Sequence, residues 1–114
     1  MNVINQTQNT TLAENIIVPK TLIDQSLGLL KYKTPTAMIL KSRFGIHTFG
    51  MSYPIDVLIV NKQNQVVTMN EHMKPNRIFL WNPTYETILE LPAETIKKTR
   101  TKIGDALQFL KKDI

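Results

Sequence analysis

The 114-residue sequence predicts one small α+β domain in which strands outnumber helices. Three observations carry that class. Short runs rich in aliphatic and β-branched residues recur between Ala37 and Leu91, separated by Pro, Gly and Asn turn signals. Two segments, Thr21 to Lys31 and Pro92 to Thr99, carry helix start signals and suggest two short helices. The length suits a single core, burying roughly 60–70% of the surface the unfolded chain exposes.

Taken in order, Met1 to Glu14 is Asn/Gln/Thr-rich without periodicity and reads as a flexible polar tail, leaving 15–114 as the globular domain. Asn15-Ile16-Ile17-Val18 is a β-branched run stopped by Pro19, a first strand. Thr21 and Asp24 have capping-box-like spacing, with Leu22, Ile23, Leu27 and Leu30 on one helical side. That helix should end before Thr34-Pro35, because the residue preceding proline disfavours helical backbone.

Strands are then expected at Ala37 to Leu40, Ile55 to Val60 and Val66 to Met69, the last two as a hairpin. Asn64 is the residue of that turn best suited to a left-handed backbone. Ile55 to Val60 is apolar on both alternating faces except at Asp56, which predicts a central strand covered on both sides. Arg77 to Trp81 reads as another strand. Tyr85, Thr87, Leu89 and Leu91 alternate with Glu86, Ile88 and Glu90, as in a half-buried strand. Pro92 suits the first turn of a helix running to about Thr99. Gly104-Asp105 is a turn before a last element at Leu107 to Phe109.

Composition narrows the function classes. An apolar fraction of 42% and a charged fraction of 20% argue against disorder and collagen. No window approaches the ~18 consecutive apolar residues of a membrane-spanning helix, so no membrane insertion is expected. The start lacks a basic stretch followed by about 7–15 apolar residues, so a cytoplasmic protein is expected. With no cysteine, thiolate nucleophiles, disulfides and cysteine metal sites are excluded. The net charge of +5 favours anionic partners. Its one dense stretch, Lys97, Lys98, Arg100 and Lys102, is a solvated face or a weak nucleic-acid contact.

No nucleotide-binding glycine loop, nucleophile elbow or paired-histidine zinc motif occurs. A metal would have to combine His47 or His72 with Asp56, Glu71 or Glu90, and neither metal nor cofactor is expected. Asp56 inside an apolar run must be hydrogen-bonded, by backbone amides, by His47 or by an arginine such as Arg77. A His47–Asp56 pair would have the form of a general base oriented by a carboxylate, with Thr48 or water as nucleophile. Phe44, Phe49, Met51 and Tyr53 around Gly45 and Gly50 are suited to core packing or to lining a pocket.

The run Ile46-His47-Thr48-Phe49-Gly50-Met51-Ser52-Tyr53-Pro54-Ile55-Asp56-Val57-Leu58-Ile59-Val60 resembles the signature of the domain of unknown function 192 family, also called uncharacterised protein family 0127. Leu27-Gly28-Leu29-Leu30, Val66-Val67, Lys74-Pro75-Asn76-Arg77, Leu89-Glu90-Leu91-Pro92-Ala93 and Gly104-Asp105 are similar to its other blocks, in the same order. The resemblance covers about Asn15 to Phe109. It implies a β-rich, mainly antiparallel curled sheet or small barrel-like domain with short helices at its edge, and it supplies no reaction. The family usually has glycine after Leu-Pro-Ala; here Glu94 stands there. Members of the family often carry an export or lipoprotein leader.

The expected function is a non-enzymatic accessory module that binds a small ligand, a peptide or a protein through His47, Phe49, Met51, Tyr53, Pro54, Asp56, Pro75, Arg77 and Glu90. The rival expectations are a hydrolase or lyase using His47 and Asp56, and weak nucleic-acid binding through Lys97 to Lys102.

Overall fold

The computed structural model describes residues 1–19 and 36–111. Its strands are β1 (Asn2–Asn5), β2 (Thr10–Ala13), β3 (Met38–Lys41), β4 (Gly45–His47), β5 (Ile55–Val60), β6 (Val66–Met73), β7 (Ile78–Leu80), β8 (Thr87–Pro92) and β9 (Leu107–Leu110). One helix, α1 (Thr95–Thr99), lies between β8 and β9.

A four-stranded sheet in the order β3-β8-β5-β6 forms the middle of the molecule. A three-stranded sheet, β2-β1-β9, and a two-stranded ribbon, β4-β7, complete the architecture, and all these ladders are antiparallel. Every residue of β5 is buried, as its two-faced apolar pattern requires. Leu58, Val60, Leu89 and Leu91 pack on one face against Val3, Leu12, Leu107 and Ile96. Ile55, Val57, Ile59 and Ile88 pack on the other face with Met38, Leu40 and Met73, under Ile46 and Phe79 of the ribbon. Strand alternation thus sends neighbouring side chains of β5 into two separate cores.

Several expectations need correction. The chain is not a two-helix α+β domain built on one curled sheet or barrel. It has three antiparallel sheets, no closed barrel and one five-residue helix among the described residues. The helix expected at Thr21 to Lys31 lies outside those residues. Residues Asn2 to Ala13 form a hairpin rather than a polar tail, and β1 pairs with β9 near the other end of the sequence. The polar side chains there are satisfied internally: Asn5, fully buried, donates to Asp105 Oδ2 at 2.9 Å and to Thr101 Oγ1 at 3.1 Å. The run around Ile17 makes only an isolated parallel bridge to Met38, through Ile17 N–H to Ala37 O and Ile39 N–H to Ile17 O.

Strand β8 is buried on both faces rather than half-buried, because β3 and β5 flank it and Glu90 lies inside. Pro92 ends β8 instead of opening the helix, which starts after Glu94 in left-handed backbone (φ 77°). The β5–β6 hairpin, with Asn64 at φ 62°, and the turn at Gly104, with φ 95°, form where expected.

Candidate functional site

Two acidic side chains enter the central sheet from opposite faces. Asp56, fully buried, sits on the side of Leu58 and Leu91. The β5–β6 register shifts between Ile55 and Val57, and the resulting bulge turns His72 into left-handed backbone at φ 53°. That bulge re-aims the His72 N–H at Asp56 Oδ1, 2.8 Å away, while Oδ2 accepts the Ile96 N–H of α1 at 2.8 Å. Both partners are backbone amides, one of the three kinds the sequence allows. Glu94 Oε1 lies 3.5 Å from His72 Nδ1 just outside, beside a 280 Å³ cleft that Glu71 and Lys97 also line.

Glu90 occupies the other face. Its register partners are Met38 on β3 and Val57 on β5, both in the second core, and it is 5% exposed. No described residue donates a hydrogen bond to its carboxyl group, and no side-chain oxygen sealed from solvent lacks a partner among the described residues, so this carboxyl is not a sealed, unsatisfied one. Burial pushes its pKa up from 4.5 to about 7, since an apolar wall does not solvate the charged form. The Tyr53 phenol is also held above its ordinary value, first by burial and then by the charge of Glu90. Tyr53 and Met51 are half-buried against this same core.

The loop that delivers Tyr53 is organised by Thr48. This 1% exposed residue donates from its hydroxyl to Lys74 O at 2.7 Å, and the same oxygen accepts Arg77 N–H at 2.9 Å. Its carbonyl accepts Asn76 N–H at 3.0 Å and Met51 N–H at 3.1 Å. The 48–51 turn and the 74–77 turn are therefore one unit, which carries five of the expected site residues: His47, Phe49, Met51, Pro75 and Arg77. His47 and Phe49 stack at 5.2 Å on the exposed side, and His47 Nδ1 accepts Phe49 N–H at 3.2 Å. Arg77 is exposed and Pro54 leads into β5.

Apart from Pro54, just before β5, and Pro75, in the 74–77 turn, the nine expected binding residues divide into three places rather than converging on one. Met51 and Tyr53 share a core with Glu90, His47, Phe49 and Arg77 lie outside, and Asp56 faces the opposite core. No hydrogen bond joins His47 to Asp56, whose oxygens are taken by His72 and Ile96. Lys97, Lys98, Arg100 and Lys102 are all exposed around α1. Among the described residues no three His, Asp or Glu side chains are placed to hold a metal ion.

The model of the domain of unknown function 192 family, DUF192, described as uncharacterised ACR, matches residues 3–109. The chain belongs to the DUF192 family. No curated protein matches it in sequence. Two solved structures share the fold. A protein of unknown function from Novosphingobium aromaticivorans DSM 12444 is 14% identical, with a TM-score of 0.78 over 95% of this chain and 82% of its own. A protein from Sinorhizobium meliloti 1021, provisionally named a transcription regulator, is 18% identical, with a TM-score of 0.70 over 94% of this chain and 89% of its own. Identities this low show the fold alone.

In this DUF192 domain, Glu94 takes up the left-handed backbone that glycine adopts without steric cost. Sequence reasoning missed Thr48 as the organiser of its loops, considering it only as a nucleophile. A threonine in a glycine- and aromatic-rich segment gives no local sign that both its hydroxyl and its carbonyl will be used. No helix among the described residues is long and apolar enough to cross a membrane.

Proposed function

We propose that this protein is a small-ligand-binding module whose site is the Glu90 face of the central sheet, entered past Met51 and Tyr53. The observation that carries the reading is the Glu90 carboxyl group, 5% exposed at the margin of an apolar core and without a donor among the described residues. A polar group in such a place costs stability unless a partner completes it, and a retained cost of that kind marks functional sites. The complementary ligand is a small organic cation, whose ammonium group pairs with Glu90 while an apolar body lies against the half-buried Met51 and Tyr53. A few convergent polar groups in an apolar wall are the usual composition of a ligand site. The split between His47 and Asp56 supports binding over hydrolysis, because neither side chain orients the other.

The test is thermal shift and isothermal titration with n-butylammonium, using n-butanol as the uncharged control. A cation bound by Glu90 stabilises the folded protein more at pH 8 than at pH 5.5, because its binding needs the ionised carboxylate. The effect is expected to vanish in Glu90→Gln and to be absent with butanol. Equal stabilisation at both pH values, or its persistence in Glu90→Gln, removes this reading.

A further inference from the structure

At the end of the central sheet where β5 leaves and β8 enters, a groove of about 470 Å³ lies between two turns. This volume is within the range of small-molecule sites, about 300–1,000 Å³. Both walls are built in advance. On one side Asn61 Oδ1 accepts the N–H groups of Gln63 at 3.0 Å and Gln65 at 2.9 Å, and Asn61 Nδ2 donates to Gln65 Oε1 at 3.2 Å. On the other side Asn82 Oδ1 accepts Thr84 N–H at 3.0 Å, its carbonyl accepts Tyr85 N–H at 3.0 Å, and the Trp81 indole donates to Tyr85 O at 2.8 Å. Two turns pinned in this way lose little further entropy when a ligand enters, so affinity is not spent on ordering them.

The charges in the groove do not cancel. Its one acid, Glu86, lies 3.3 Å from Arg43, which is not among the lining residues. Lys41 donates to Thr87 Oγ1 at 2.9 Å, and neither Lys41 nor Lys62 has an acidic partner among the described residues. Two ammonium groups therefore face a space otherwise lined by amides and hydroxyls, including those of Gln63, Asn64 and Thr84. Lysine is a compact point charge that suits phosphate, and neutral amides and hydroxyls suit hydroxyl groups.

We infer that this groove is a second binding site, independent of Glu90, for a small hydroxylated anion of the sugar-phosphate class. The phosphate pairs with Lys41 and Lys62, and the hydroxyls bond to the side chains of the two turns. Nitrogen–proton NMR titration with glucose 6-phosphate tests it, with glucose and inorganic phosphate as separate probes and the Lys41→Met/Lys62→Met double variant as control. Both lysines are exposed, so the double variant keeps its fold, which the unshifted amides of β1 and β9 verify.

The expected result is saturable shifts at residues 61–65 and 84–87, with glucose 6-phosphate bound at least about tenfold more tightly than either part alone. The double variant should lose about tenfold or more. Absence of shifts in the groove, equal affinity for glucose or for inorganic phosphate, or unchanged binding by the double variant overturns the inference. Glu90→Gln should leave these shifts intact, which separates the two sites.

Discussion

Asp56 Oδ2 accepts the backbone N–H of Ile96 at 2.8 Å, so a strand side chain caps a helix forty residues further along the chain. Helix α1 has no side-chain cap of its own, since Glu94 at the N-cap makes no such bond. The first N–H groups of any helix lack intrahelical acceptors and must find them elsewhere. Because the other oxygen of Asp56 holds the β6 bulge through His72, one residue fixes both the bulge and the helix start.

Asp56→Ala strips the acceptors from two N–H groups beside a fully buried position and is expected to cost roughly 2–6 kcal/mol, about 1–3 for each unsatisfied group. Urea unfolding measures the loss. Hydrogen exchange should speed up first at the His72 and Ile96 amides. A loss within about 0.5 kcal/mol, the range of an ordinary surface substitution, would show that the carboxyl group is not what holds these elements.

Glu90 makes stability depend on pH in a defined direction. Its pKa is about 7 in the folded protein against 4.5 for the free group, so the folded state binds the extra proton between these values. Its contribution is complete below about 4.5 and is lost as the pH rises through about 7, amounting to about 3 kcal/mol. Glu90→Gln should flatten this part of the profile and be more stable than the parent at pH 8. Denaturant midpoints collected from pH 5 to 8 on both proteins would reveal a parent profile that rises instead, contrary to this sign.

Asp105 sets the opposite limit. Burial raises its pKa, but hydrogen bonds from Asn5, the Lys102 amide and Gln8, with the Lys102 charge, outweigh burial and leave it below its ordinary 3.8. The stability it supplies is present above that ordinary value and disappears as the pH falls through the lower folded one. Asp105→Ala removes the acceptor of Asn5 and the Lys102 amide, and about 1–3 kcal/mol of stability is expected to go with it. Amide exchange in β1 and β2 reports the effect, because this side chain ties the first hairpin to the last turn. Protection unchanged in both strands would mean that the ladder with β9 suffices.

Glu94 at φ 77° carries a backbone conformation that costs a non-glycine residue roughly 1–2 kcal/mol. Part of that is recovered on substitution by glycine, less the larger entropy glycine has when unfolded. Glu94→Gly should therefore stabilise the protein by up to about 1 kcal/mol, seen as a higher urea midpoint at unchanged slope. Destabilisation by a similar amount would show that the contact with His72 outweighs the strain.

The elements legible in the sequence are those whose signals are local. The unbroken apolar run of β5 announces burial on both faces, Asn64 announces its turn, and Asp56 announces a carboxyl group that must be hydrogen-bonded. What stayed hidden depends on distant partners. Strand β1 reads as polar because its buried Asn5 is satisfied by Thr101 and Asp105, about a hundred residues away. Strand β8 reads as half-buried because Glu90 mimics a solvent-facing residue, whereas β3 and β5 enclose it. The sequence offers Glu90 and Tyr53 together as candidates, but that they lie by one core while Asp56 turns to the opposite face follows only from sheet order and strand phase.

Glu90 is a carboxyl group held against an apolar wall with no donor among the described residues. Carbon-13 NMR of its side-chain carboxyl, followed from pH 3 to 9, measures that directly. A midpoint near 7 that falls when n-butylammonium is added is the predicted result. A midpoint near the ordinary 4.5 would show that the group is already solvated or paired, and would contradict the claim.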